Sequence, residues 1–328
     1  TVQYYISNNT LSHTYDPTDL GYLQAPNLIS YNAGGSYHQF SPTDHFLSYA
    51  YSIDIANRYL FKPNSFKELE IDASAFWLFK NFWDVTLAVN TLPVMQNDYY
   101  DLRTAGRFVK KPSEVYLNVS GSSDSRKKLW ISYYLGYAKR PLFPGNPYYR
   151  TDGGIRYRFS KKLTISYNIY RQDEKNQVGY AFLREPNGDP IIGFRHNLET
   201  ISVINGIYNF TPRLNLSIRV RHYWNMVHYN SFYNVDYNGN YIPRQFIADQ
   251  DQNYNVYNLD AFFTWDFKPG SRMIIGWKNW LGDLYSVNGV KYINYTDNLA
   301  QTLASSHGNE FTMRFIYYID YNKLIRKK

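Results

Sequence analysis

The stretch NVYNLDAFFTWDFKPGSRMIIGWKNW, residues 255–280, alternates on both sides of a tight Lys-Pro-Gly turn. Tyr257, Leu259, Ala261, Phe263, Trp265 and Phe267 fall on one face. Asn258, Asp260, Thr264 and Asp266 fall on the other. Period-two alternation of this kind marks a β-strand with one apolar and one polar side. The same pattern recurs in 213–226, where Leu214, Leu216, Ile218 and Val220 oppose Arg213, Asn215, Arg219 and Arg221. It recurs again in 68–80, 163–172 and 310–321.

These runs extend over ten to fourteen residues, whereas strands of soluble proteins have a modal length of about 5–6. A tilted strand needs about 9–11 residues to cross a bilayer. Length and alternation together predict an all-β fold: a transmembrane, antiparallel, up-and-down β-barrel with one face in lipid and the other in a polar lumen. Composition agrees. Aromatic residues make up 19% of the 328, and 35 of them are Tyr. Yet the mean hydropathy is −0.52, and no apolar run reaches the ~18 residues of a membrane helix. There is no cysteine, which suits passage through an oxidising compartment. The net charge of +8 is spread along the chain with no basic cluster interleaved with stacking aromatics, so nucleic acid is not an expected partner.

Fourteen strands are expected, near 2–9, 27–40, 46–58, 68–80, 82–92, 110–120, 128–139, 149–159, 163–173, 198–210, 213–226, 254–267, 271–283 and 308–321. Short connections (SPTDH, GSSDSRK, SKK, TP, KPG) alternate with long ones (10–26, 59–67, 93–109, 140–148, 174–197, 227–253, 284–307). Bacterial outer-membrane barrels have short periplasmic turns and long extracellular loops. The expected location is therefore the bacterial outer membrane, with both ends of the 1–328 barrel domain periplasmic and a longer parent chain. No helical period stands out.

The face expected to line the lumen carries both signs, including Glu70, Asp72, Arg156, Arg158, Arg219, Arg221, Asp260, Asp266, Lys278 and Arg314. The outer face carries rings near strand ends. Trp83, Trp265, Phe267, Tyr317 and Tyr321 are expected at the periplasmic boundary, and Trp224 at the outer one, as membrane girdles. His222 points outward in the manner of barrel phospholipases. However, a two-residue TP turn would place Ile201 and Val203 beside it and remove Ser202 as a nucleophile, so no enzyme is expected. His13, Asp16 and Asp19 have no specific metal spacing, and no metal or cofactor is expected. Expected partners are outer-membrane lipid and lipopolysaccharide, with glycans and other outer-membrane proteins or lipoproteins as candidates for the Tyr- and Asn-rich loops.

At TYDPTDLGYLQAPN (14–27), RHYW (221–224), NLDAFFTWDFKPGS (258–271) and IYYIDYNKL (316–324) the chain resembles a family. It is similar to the C-terminal region of Bacteroidota outer-membrane proteins whose N-terminal part is like a family-9 carbohydrate-binding module. The resemblance implies a signal peptide and a carbohydrate-binding-like domain ahead of Thr1. It carries no functional residue across. The expected function is a channel, or a surface anchor and component for handling glycans or other polymers. The alternative is a non-conducting structural or accessory subunit of a larger outer-membrane complex.

Overall fold

The computed structural model describes residues 1–16, 26–140, 147–287 and 294–321; the side chains of 176 and 282–287 lie outside that description. In chain order the elements are β1 (Val2–Leu11), β2 (Leu28–Gln39), β3 (Phe46–Tyr59), β4 (Phe66–Phe79), β5 (Asp84–Leu92), β6 (Gln96–Asp98), β7 (Val109–Lys111), β8 (Glu114–Ser122), β9 (Leu129–Lys139), β10 (Tyr148–Arg158), β11 (Leu163–Arg184), β12 (Pro190–Thr211), β13 (Leu214–Val235), β14 (Tyr241–Pro243), β15 (Gln252–Lys268), β16 (Ser271–Val287), α1 (Tyr295–Ala304) and β17 (Gly308–Ile316). Among the described residues the chain is all-β apart from one helix.

Fourteen strands form one antiparallel meander, β1-β2-β3-β4-β5-β8-β9-β10-β11-β12-β13-β15-β16-β17, with β14 flanking β13 and a separate β6–β7 hairpin. Among the described residues no pairing joins β17 to β1, so the sheet is open where a closed barrel is expected. The two margins are correspondingly bare: Tyr4 and Ile6 on β1 are 87% and 88% exposed, and Phe311 and Met313 on β17 are 75% and 68% exposed.

One face is apolar and uncovered along most of its length. Leu117, Leu135, Ile155 and Ile204 are each 46–51% exposed. The opposite face is polar, and glycines there accept flat rings: a Cβ on Gly34 would lie 2.4 Å from Tyr5, and one on Gly136 would overlap the Tyr116 hydroxyl. Such ring-over-glycine contacts fill the gap a missing side chain leaves. Buried apolar clusters occur only toward the long-loop end, among the described residues.

The strands extend further than expected at the long-loop end. β11, β12 and β13 are each 22 residues long, so much of 174–197 and 227–253 is paired strand. Bulges after Glu174 and between Phe194 and Arg195 break the alternation there, which hides the extension from a period-two reading. The other correction is of register. The β12–β13 turn closes with Thr211 opposite Leu214, and Phe210 is an extra residue between Asn209 and Thr211. Pro212 and Arg213 therefore form the turn, and everything beyond shifts by one. Ser202, not Ile201 or Val203, lies directly opposite His222. A one-residue slip exchanges the faces of a whole strand.

Candidate lining and long-loop cap

On the polar face, β3, β4 and β5 build one connected network. The Arg58 guanidinium donates to Glu68 at 2.9 Å and to Glu70 at 2.7 Å. The Asn90 amide donates to Glu70 at 2.9 Å and also to Asp72. Asp72 stands opposite Asp54, which accepts from the Tyr5 hydroxyl at 2.8 Å. Six strands beyond β5 in the sheet order, Arg219 faces Asp260, Asp260 faces Lys278, and Lys278 faces Glu310, a cross-strand row of alternating sign. None of these three pairs closes to ion-pair distance, so the row is a line of separately solvated charges. Arg221 in the next row faces Asn258, and Arg314 is on the same face of β17, opposite Ile274.

At the short-turn end the charges act structurally. Asp266 accepts from Arg272 at 2.5 Å and 3.2 Å, bracing the β15–β16 turn. Arg156 donates to the Ser125 carbonyl at 2.6 Å, and Arg158 to the Ser125 and Arg126 carbonyls at 3.0 and 3.2 Å. Both arginines thus clamp the β8–β9 turn and do not project freely from the wall. A donated bond to a turn carbonyl satisfies backbone that no strand can pair.

The aromatic residues divide similarly. Trp83, Trp265, Tyr317 and Tyr321 are exposed at the short-turn end, and Phe267 stacks between Phe315 and Tyr317 with centroids 5.2 and 6.3 Å away. Trp224 departs from the expected girdle position. It is fully buried under α1, its ring 6.4 Å from that of Tyr295, and its Nε1 donates to Asn253 Oδ1 at 2.7 Å. The helix was not legible because its buried positions, Asn298 and Thr302, are polar. His13 stacks on Phe61 at 6.3 Å; Asp19 lies outside the described residues.

The segment between β5 and β8 carries the β6–β7 hairpin to the long-loop ends of β11–β13, several strands away in the sheet order. Leu102 and Val109 of this segment bury completely against Ile192 and Val235. Arg107 pairs with Asp189 at 2.5 Å and donates to the Val235 carbonyl. The Asp101 carboxylate accepts from the Tyr180 amide at 3.2 Å. Beside it, Arg140 bridges Glu114 at 2.5 Å and Glu174 at 2.6 Å, tying β8 to β11. The result is a folded cap over this end of the sheet. Its anchors, Leu102 and Val109, look like ordinary loop residues in the sequence; only their apolar character within a polar loop hints at them.

Lys111 holds the hairpin shut through Asp98 and Asp101, both at 2.9 Å. Burial would raise the Asp98 carboxyl, but the Lys111 ammonium together with the Asp101 and Tyr100 backbone N–H groups outweighs burial and holds it below the ordinary value of 3.8. A depressed folded pKa contributes stability that is complete above the unfolded value and is lost as pH falls through the folded one. Proteolytic nicking of 93–113 should therefore stay constant between about pH 5 and 8 and rise only below pH 3.8. A rise between pH 5 and 7 would contradict this pairing.

A family model described as Domain of unknown function (DUF5916) matches residues 1–328, the whole chain. No curated protein matches it.

Proposed function

The chain belongs to the DUF5916 family, and we propose that it forms the wall of an outer-membrane β-barrel whose polar face lines the lumen and whose capped end meets polymers such as glycans at the cell surface. One observation carries this reading: a fourteen-strand meander whose apolar face is uncovered while its opposite face is ionic. In water an uncovered apolar face of this extent is unfavourable, at ~25 cal/mol per Å²; in hydrocarbon it is the required arrangement. The short-turn end is then periplasmic. Lipid also requires every backbone group to be paired, so the reading demands that β1 and β17 meet each other or further strands in the membrane.

The row Arg219–Asp260–Lys278–Glu310 is the part of the lining best suited to greet a permeating solute, since its charges are not consumed in ion pairs. In planar bilayers, Arg219→Glu and Asp260→Lys should shift cation–anion selectivity in opposite directions without loss of folded protein. Identical selectivity for both variants and the parent chain would remove these residues from the lumen. The cap favours a second reading, a non-conducting subunit of a larger assembly, because Leu102 and Val109 tie the β5–β8 connection to strands across the sheet. That reading predicts electrical silence and co-purification with fixed partners after gentle detergent extraction.

A further inference from the structure

The shifted register of β12 places a protic cluster on the face that is otherwise apolar. Ser202 and His222 are direct cross-strand partners, a relation that sets Cβ atoms about 4.5–5.5 Å apart. His222 is 3% exposed, and its two nitrogens are held differently. Nε2 lies 3.3 Å from Asn255 Oδ1, while Nδ1 is buried without a partner.

The amide orientation is fixed by a chain of bonds. Asn298 Nδ2 donates to the Asn294 carbonyl at 2.8 Å, and Asn255 Nδ2 donates to Asn298 Oδ1 at 3.2 Å. Asn255 therefore presents its oxygen to the imidazole, which makes Nε2 the protonated nitrogen and Nδ1 the free base. Ser202 shares a 2.8 Å hydrogen bond with the Tyr167 hydroxyl and remains half-buried. Tyr295 of α1 lies over the imidazole at 5.2 Å, and its hydroxyl is also hydrogen-bonded to Ser202.

A nucleophile, a base with an unpaired lone pair and an amide that orients the base form the logic of serine hydrolysis. We infer that Ser202, His222 and Asn255 form a hydrolytic site on the lipid-facing wall that cleaves acyl esters of membrane lipids. Ser202 and His222 are the catalytic residues; Asn255 is a positioning residue. The substrate class rests on the membrane reading above. His222 is eight residues beyond Leu214 along β13, about 27 Å of strand and ~20 Å of height at the usual tilt. That is near the outer boundary of an apolar band about 25 Å tall, where lipid ester groups lie.

The steps balance without a metal or redox partner. Ser202 Oγ turns from Tyr167 and Tyr295 and loses its proton to His222 Nδ1 as it attacks the ester carbonyl carbon. The bond between that carbon and the lipid alkoxy oxygen breaks, and the proton on Nδ1 leaves with the alcohol. Water then attacks the acyl-serine, giving its proton to Nδ1; the fatty acid departs, and the proton returns to Ser202 Oγ. The Tyr167 hydroxyl, released from Ser202, is placed to donate to the oxyanion. Ester and water become acid and alcohol.

The test treats the full chain in detergent micelles with hexadecylsulfonyl fluoride, and locates adducts by peptide mass spectrometry. An adduct at Ser202 is expected. It should vanish in Ser202→Ala and form about a hundredfold or more slowly in His222→Ala. Asn255→Leu should slow it by about tenfold, and Asn255→Asp, which keeps the acceptor oxygen, should retain it. Tyr295→Ala removes the ring over the imidazole and should speed labelling. Fatty-acid release is then measured from phosphatidylethanolamine vesicles and separately from lipopolysaccharide, which identifies the lipid that supplies the ester. No Ser202 adduct in either the parent chain or Tyr295→Ala, in a preparation that inserts into vesicles, overturns the site. An adduct whose rate is indifferent to His222→Ala overturns the base. A labelled preparation that fails to insert leaves the nucleophile standing and removes the lipid substrate together with the membrane reading.

Discussion

Leu135→Arg is expected to destabilise the folded protein in a bilayer by about 2–4 kcal/mol, whereas Thr86→Arg should be nearly silent. Leu135 lies on the apolar face of β9 and is 51% exposed. It is six residues from Leu129, about 20 Å along the strand and roughly 15 Å in height once tilt is included. On the proposed membrane reading that places it near the middle of the hydrocarbon, where a guanidinium loses its water. Thr86, opposite Phe76 and Ser120, shares its face of β5 with Asp84 and Asn90, which tolerates charge. In water the comparison would read differently, because a surface substitution at a half-exposed position stays within about 0.5 kcal/mol. Urea titration in lipid vesicles, followed by tryptophan fluorescence, separates the cases. Equal small effects for the two variants would put the sheet in solvent and end the membrane reading.

Leu102→Ala should open the cap while sparing the strands beneath. Leu102 is fully buried against Val109, Ile192 and Val235, and truncating a leucine so placed costs about 2–5 kcal/mol. The loss falls on docking of 93–113, because Leu102 lies outside the meander. Hydrogen exchange of the Val109–Lys111 amides should accelerate by between about thirtyfold and a few thousandfold at ~1.4 kcal/mol per decade, with amides of β3 and β4 unchanged. If the cap obstructs the lumen, the same variant should raise single-channel conductance. Uniform acceleration across the whole sheet would mean that the cap and the strands unfold together.

Much of the fold was legible because period-two alternation is a rule that each strand obeys separately. The spans of β2, β3, β4, β9 and β10 follow from the spacing of residues such as Tyr31, Ile53, Ile71, Leu135 and Ile155 to within about two positions. Past the apolar band that rule lapses. Extensions such as Arg195–Leu198 and Val227–Val235 pack against loops and water, so bulges and mixed polarity are tolerated and the strand signal fades. α1 is hidden for a related reason: its buried positions Asn298 and Thr302 are polar, Asn298 bonds Asn255, and Tyr295 alone lays a ring against His222 and Trp224, which is too little to count as an apolar stripe. The charged wall was legible in kind but not in use. Periodicity assigns Arg156 and Arg158 to the same side as Arg219, but only coordinates reveal that the first two are spent on turn carbonyls. The register of β12 hung on one residue, Phe210, and with it the neighbour of His222.

The bare margins of the sheet bear on how the molecule behaves in water. β1 is the first and β17 the last member of an alternating meander, so the last strand of one copy has the right direction to continue into the first strand of another. Such head-to-tail joining leaves a fresh sticky end at every addition and propagates as ribbons unless it happens to close into a ring. Unless those two margins are paired or covered, an aqueous preparation of this chain is expected to seed such filaments.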